Sequence, residues 1–179
     1  MEFVPTSIPD VILIKPKIFS DQRGDFLESY HINRYKENGI HLNFVQDNLV
    51  KSSKHVLRGL HYQKNPEAQA KLVIVLKGEV FDVAVDIRKN SPTFGKYVSV
   101  HLDDIHHNIF YVPPGFAHGY LVHSELAEVE YKCTELYHPE DEYGFLWNDP
   151  AIGIDWGIKN PILSEKDKQQ PLLKEVKEK

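Results

Sequence analysis

The sequence predicts an all-β domain: short strands arranged as a sandwich or barrel, with a few short helices. Three observations carry this reading. β-prone runs of four to nine residues recur along the chain, the clearest of them alternates side chains with a period of two, and Gly- or Pro-bearing turns separate them. A length of 179 residues suits a single domain spanning 1–179 and is enough to bury a core.

The first element in order is helical, from His31 to Asn38, closed by Gly39. The first strand runs from Leu57 to Gln63, with Gly59, His61 and Gln63 on one face. A second covers Lys71 to Leu76, and Lys77-Gly78 turns the chain into a third. That third strand, Val80 to Arg88, places Phe81, Val83, Val85 and Ile87 on one face and Asp82, Asp86 and Arg88 on the other. Asn108 to Val112 and Tyr120 to His123 flank a Pro113-Pro114-Gly115 turn. The last strand, Val129 to Leu136, aligns Val129, Tyr131 and Cys133. A short helix starts after Ser164, which caps it, with Asp167 three residues on as in a capping box. The charged end, 174–179, is expected to fray.

Composition removes several function classes. Apolar residues are 41% and charged residues 26%, outside the disordered and membrane ranges. No apolar run approaches the roughly 20 residues that span a bilayer. The start, Met1-Glu2-Phe3-Val4-Pro5, lacks a signal-peptide pattern, and a single cysteine, Cys133, forms no intrachain disulfide. The expectation is a cytoplasmic protein. A net charge of -5 without a basic patch argues against polymeric nucleic acid as partner, but leaves room for a small anionic ligand held by a few arginines.

Several residues are suited to chemistry. His61 is a natural general base near neutral pH, and a glycine two places earlier on its face leaves space for a ligand; the competing reading is a buried, satisfied histidine. Lys71 begins a run of β-branched residues; it is either a solvated strand end or an ammonium facing a cavity, where it would stabilise an enolate oxygen. Tyr131 is either core packing or a proton donor in the same cavity. The turn before His118 delivers that histidine at a strand start. Arg23 and Arg58 are either surface ion-pair partners or forks for phosphate oxygens. Among ten histidines there is no His-X-His pair, and adjacent His106 and His107 point to opposite sides of a strand, so no metal ligand set is assigned. Walker and G-x-G-x-x-G phosphate loops are absent from the sequence.

Taken in order, the motifs resemble one family, the dTDP-4-dehydrorhamnose 3,5-epimerases. The stretches that carry the resemblance begin with Asp21-Gln22-Arg23-Gly24-Asp25-Phe26-Leu27-Glu28 and Gln46-Asp47-Asn48. They continue with Val56 to Gln63, Lys71-Leu72-Val73, Asp82 to Arg88 and Ser91 to Gly95. The last are Pro114 to Gly119, Tyr131 to Tyr137, Asn148-Asp149-Pro150, Gly153 to Trp156 and Leu163 to Asp167. The resemblance implies a cupin-type jelly-roll β-barrel, active without metal or other cofactor. It also implies a homodimer in which the N-terminal region of one subunit reaches the partner's site. The implied reaction inverts C3 and C5 of a dTDP-linked 4-dehydro-6-deoxy sugar, giving dTDP-4-dehydro-L-rhamnose for dTDP-L-rhamnose biosynthesis. His61 would be the base, Asp167 its partner, Lys71 the enolate stabiliser and Tyr131 the acid on the opposite face. Arg23, Glu28, Gln46, Asn48, Arg58, His118, Glu142 and Lys166 fall at nucleotide-sugar contact positions, and Tyr137 at the thymine-stacking position.

Two positions depart from the family pattern. Val50 stands where a serine is common, removing a hydroxyl near the sugar site, and Gly157 stands where a proline is common, in a surface turn. The competing functions are a single-position epimerase on a related nucleotide sugar, a metal-dependent cupin enzyme, and a non-catalytic sugar-nucleotide binding module.

Overall fold

A computed structural model describes residues 1–176. Thirteen strands dominate, and the all-β expectation holds. A six-stranded antiparallel sheet orders as β1 (Glu2–Pro5), β2 (Ile12–Lys15), β10 (Ile109–Val112), β7 (Lys71–Lys77), β12 (Leu126–Cys133) and β5 (Gln46–Ser53). Facing it, a five-stranded sheet orders as β13 (Glu142–Gly144), β6 (Leu57–Gln63), β11 (Phe116–Val122), β8 (Glu79–Asp86) and β9 (Tyr97–Asp103). A separate hairpin pairs β3 (Ile18–Asp21) with β4 (Gly24–Leu27). This is the jelly-roll arrangement. The turn at Lys77-Gly78 forms as expected, with Gly78 at φ +83°, but it carries the chain from one sheet to the other.

Three apolar layers hold the sheets. Between them lie Val73, Val75 and Phe110 from one side and Val80, Ala84 and Phe116 from the other. Behind the five-stranded sheet, Leu57, Leu60 and Val83 meet Phe145 and Trp156 of the C-terminal segment. Behind the six-stranded sheet, Ile14, Leu72 and Ile109 meet Tyr35 and Ile40. Tyr35 belongs to α1 (Ile32–Glu37), which His31 caps and Gly39 follows at φ +87°, as expected for that helix. Central strands are thus covered on both faces; every residue of β10 and β11 is buried. Two-face burial erases the alternation that would mark such strands in sequence.

Several sequence expectations need correction. Strands β1 to β5, β9 and β13 lie outside the predicted set, so Leu57–Gln63 is the sixth strand and not the first. β11 begins at Phe116, which puts His118 within a buried strand and not at its entrance. β12 starts earlier and stops at Cys133. Fraying does not begin at Lys174, since Leu173–Glu175 forms a 3-10 turn and Val176 packs behind the five-stranded sheet; Lys177, Glu178 and Lys179 lie outside the described residues. No helix among the described residues is long and apolar enough to cross a membrane.

Gly59 has a different purpose from the one expected. It has φ +116°, and a Cβ there would stand 2.6 Å from both Gly119 Cα and His118 O. Its lack of a side chain lets β6 and β11 touch backbone to backbone, and it opens no space for a ligand. The register slips at this point: His118 pairs with His61, but Tyr120 pairs with Arg58. The extra residue in β6 turns Arg58 to the same inward side as His61, where simple alternation would oppose them.

Gly59→Ala should therefore lower stability by about 2–4 kcal/mol, combining left-handed backbone strain with a backbone clash. Gly39→Ala, with positive φ but nothing within 4 Å, should lose only about 1 kcal/mol. Urea unfolding of the two variants checks the difference; equal losses would contradict the close-approach role of Gly59.

Candidate active site

One cavity of about 370 Å³ opens between the two sheets. His61 enters from β6 in the five-stranded sheet; Lys71 of β7 and Tyr131 of β12 enter from the six-stranded sheet. Gln46 and Asn48 of β5 extend that wall, and Tyr137 and Glu142 border it. The strand pairing explains the grouping: Tyr131 lies opposite Asn48, and Cys133 lies opposite both Gln46 and Lys71.

His61 Nε2 lies 2.5 Å from Asp167 Oδ1. Asp167 sits in α2 (Glu165–Lys168), where its backbone N–H donates to Ser164 Oγ at 3.1 Å. The Ser164 cap is as expected, but the carboxylate does not complete a capping box; it is directed to His61. Burial raises the Asp167 pKa, yet the His61 hydrogen bond and charge, Ser164 and Lys166 outweigh it, and the net shift is downward. With Nε2 engaged, Nδ1 is the ring nitrogen left for proton transfer, and it lies 3.8 Å from Glu142 Oε1.

On the facing wall, Lys71 Nζ stands 5.7 Å over the Tyr131 ring. Burial lowers the Lys71 pKa, opposed by the negative potential of Cys133, Glu142 and Asp82. Burial likewise raises Tyr131, helped by Cys133 and Glu142 and opposed by Arg58. The hydroxyl thus keeps its proton at neutral pH, as a donor must. Arg58 also donates from Nε to Ser52 Oγ at 3.0 Å.

Glu142 links the rim. The Tyr137 hydroxyl donates to its Oε2 at 2.7 Å, and Lys166 Nζ pairs with the same oxygen. That hydrogen bond, followed by burial, pushes Tyr137 up to about 12. Gln46 Oε1 accepts the Tyr137 backbone N–H at 2.9 Å, so the aromatic ring is anchored from the cavity wall.

Not every expected site residue reaches this cavity. His118 is buried beside it, with Nε2 at 2.7 Å from Asp82 Oδ1, and is not among the lining residues. Arg23 lies on the β3–β4 hairpin, paired with Asp21, and Glu28 pairs with Arg34; neither borders the cavity of its own chain. Val50 continues the inward face of β5 opposite Val129, two residues past Asn48. Gly157 takes φ +67° with open space around it, a conformation proline cannot adopt.

Sequence reasoning missed Tyr62, Gln63, Gln69 and Cys133 as lining residues and Asp82 as the partner of His118. Asp82 carried a signal, a carboxylate within an apolar run. Cys133 carried one in its shared face with Tyr131. Gln69 precedes the strand and carried none.

The chain matches the family described as dTDP-4-dehydrorhamnose 3,5-epimerase over residues 5–175. It is 52% identical over 175 residues to the dTDP-4-dehydrorhamnose 3,5-epimerase of Salmonella typhimurium, covering 97% of this chain and 96% of that one. The crystal structure of dTDP-6-deoxy-D-glucose-3,5-epimerase from Legionella pneumophila, in complex with dTDP-4-keto-L-rhamnose, superposes with a TM-score of 0.95. That protein is 49% identical, with 98% of this chain and 94% of that chain covered. A more distant relative, the dTDP-4-dehydrorhamnose 3-epimerase of Streptomyces niveus, is 38% identical over 179 residues, covering 99% of this chain and 86% of that one.

The Asp167 pair makes a prediction about acid stability. Its folded pKa lies below the unfolded value of about 3.9, so the stability it contributes is present above that value and is lost as pH falls through the folded value. Asp167→Asn should lower stability at pH 7 by about 1.5–3 kcal/mol and flatten its decline in acid. Urea unfolding across an acid-to-neutral series checks this; parallel wild-type and variant profiles would remove Asp167 as a source of the pH dependence.

Proposed function

The chain belongs to the dTDP-4-dehydrorhamnose 3,5-epimerase family, and from that premise we propose how its cavity epimerises C3 and C5 of dTDP-4-dehydro-6-deoxy-D-glucose to give dTDP-4-dehydro-L-rhamnose. The observation that carries the reading is the placement of His61 on one sheet and Tyr131 with Lys71 on the other, all facing one cavity. An inversion needs a base on one side of the sugar ring and an acid on the other. The ketone at C4 already makes the neighbouring C–H bonds acidic, so the chemistry calls for proton transfer and charge stabilisation and no redox step.

In this reading His61 Nδ1 takes the proton from the carbon beside the ketone. The electron pair moves into the ring as an enolate, and the Lys71 ammonium stabilises the oxygen. Asp167 favours the imidazolium that forms. Tyr131 then delivers its proton to the opposite face of the same carbon, and the C4 carbonyl reforms. Proton exchange with solvent resets His61 and Tyr131 before the second carbon reacts. Tyr137 stacks on the thymine, with Glu142 and Lys166 fixing its orientation; preference over uracil rests on a methyl-sized contact of about 1–3 kcal/mol. Gln46 and Asn48 contact the nucleotide sugar from the β5 wall, and Arg58 supports it from the opposite sheet.

A single-position epimerase is the second reading, and the Streptomyces niveus relative keeps it in view. Identities of 52% and 49% to the Salmonella typhimurium and Legionella pneumophila 3,5-epimerases, against 38% to that 3-epimerase, favour inversion at both carbons. We also place the chain in the cytoplasm, from its single cysteine, and in a homodimer. The exposed Phe19 and Phe26 on the β3–β4 hairpin support the dimer, as does the distance of Arg23 and Glu28 from their own cavity: both would complete the partner's site.

Incubation with dTDP-4-dehydro-6-deoxy-D-glucose in D2O should place deuterium at C3 and at C5, followed by NMR. His61→Ala should slow exchange at both carbons by about 10²–10⁴-fold, and Tyr131→Phe should slow inversion more than proton removal. Deuterium at one carbon only would select the single-position reading, and none at either carbon would overturn the assignment.

Mixing inactive His61→Ala and Arg23→Ala chains tests the shared site. In a homodimer with exchanged arms, random pairing should restore about a quarter of the sites. A sedimenting monomer, or no recovery from subunits shown to exchange, would rule out the exchanged arm.

A further inference from the structure

Outside the cavity, three adjacent strands of the five-stranded sheet bring Glu79, His101 and His123 together. Glu79 lies on the central strand, β8. His101 of β9 pairs with Phe81, two residues on from Glu79 along the same face. His123 follows β11 and donates its backbone N–H to Glu79 O at 3.0 Å. The side chains converge: His101 Nδ1 lies 2.9 Å and His123 Nδ1 3.7 Å from Glu79 Oε1. All three ligand atoms fall within 4.8 Å of one another.

Two imidazoles converge here on one carboxylate oxygen. The Phe81 ring lies parallel to His123, with an interplanar angle of 2°, and 5.3 Å from His101. Trp156 packs edge-on against the far side of Phe81. This aromatic wall packs beside both imidazoles and narrows the orientations open to them, which lowers the ordering cost of coordination. For zinc, nitrogen and oxygen ligands at about 2.0–2.1 Å in a tetrahedron stand roughly 3.3 Å apart. The observed 2.9 and 3.7 Å separations bracket that value. Without a metal, the same groups form an ordinary ion pair when His101 is protonated.

We propose that Glu79, His101 and His123 form a binding site for one divalent transition-metal ion of the zinc class. Neutral imidazoles and one carboxylate suit zinc, cobalt or nickel better than calcium or magnesium, which prefer all-oxygen shells. None of the three residues lines the cavity, so the ion would clamp β9 and the end of β11 across β8 and leave proton transfer alone. The half-exposed side chains leave the remaining coordination positions to water.

The test is calorimetric titration of zinc chloride into the chelator-stripped full chain, with cobalt(II) absorption as a second probe. One equivalent should bind and raise the melting temperature. His101→Ala and His123→Ala should each weaken affinity by at least ~10-fold, a loss that even changes outside the ligand shell can cause. The double variant should bind no zinc at this site, and His138→Ala, which alters a separate His138–Glu140–Asp141 group, should bind as wild type does. Epimerase turnover by the metal-free variants verifies that they fold, and His101→Asn and His123→Asn replace any alanine variant that does not. No zinc binding by wild type, equal affinity in the double variant, or loss of binding on changing His138 would each overturn the proposal.

Discussion

The contact between Gly59 and Gly119 is the constraint on which the site depends. Each glycine stands where a Cβ would meet the other strand's backbone at under 3 Å. Because both lack that atom, β6 and β11 can close around an extra residue. The register slip sends Arg58 inward on the same side as His61, while Leu57, Leu60 and Tyr62 fill the layer beneath the C-terminal segment. A regular strand of the same sequence would turn Arg58 away from the Tyr131 wall. The C-terminal segment that covers the outer apolar face also brings α2 over β6, and with it Asp167. Apolar packing behind the sheet and polar chemistry in front are consequences of one backbone arrangement.

The facing walls divide the electrostatics. Asp167 and Glu142 both place a carboxylate beside the His61 ring. Lys71 stands on the other wall, beside the tyrosine. Burial pulls its ammonium toward neutrality, and surrounding negative groups resist that pull. A strongly hydrated surface lysine would lend little to an enolate; a partly desolvated one interacts with it through less intervening water. The neighbours that oppose the lowering of the Lys71 pKa include Glu142, the same carboxylate that anchors Tyr137 and Lys166 at the rim. In the proposed mechanism, the nucleotide-binding rim and the enolate-stabilising lysine therefore share Glu142 as a neighbour.

Much of the site was legible in the sequence because the motifs keep their order. His61, Lys71, Tyr131 and Asp167 were named from their residue types and family pattern, and the two-residue period placed Tyr131 with Cys133. The fold was less legible, for physical reasons. β10 and β11 are buried on both faces, so alternation is hidden. β5 is an edge strand with polar residues on both sides, including the cavity-facing Gln46 and Asn48, and it lacks an apolar stripe. The slip at Gly59 was invisible because a glycine in a strand signals close approach without saying to what. Asp167 shows the converse: local pattern correctly placed a cap at Ser164 but assigned the carboxylate to its own helix, since no local rule contains a histidine 106 residues away.

The two histidine–carboxylate pairs show how burial assigns roles to like groups. His61 and His118 are cross-strand partners, and each binds an aspartate through Nε2, at 2.5 and 2.7 Å. They differ in what faces the second ring nitrogen. A quarter of the His61 side chain is exposed, toward a cavity that holds Lys71 and Tyr131; the His118 side chain is 7% exposed and Asp82 is fully buried. A general base must reach carbon and exchange protons with solvent between turnovers. Only His61 has both routes. In the His118–Asp82 pair, Oδ1 bonds the ring, Oδ2 has no hydrogen-bond partner among the described residues, and the histidine lies across from His61 where the register slips. Access, and not residue type, therefore separates the histidine suited to act as the proposed base from its closed cross-strand neighbour.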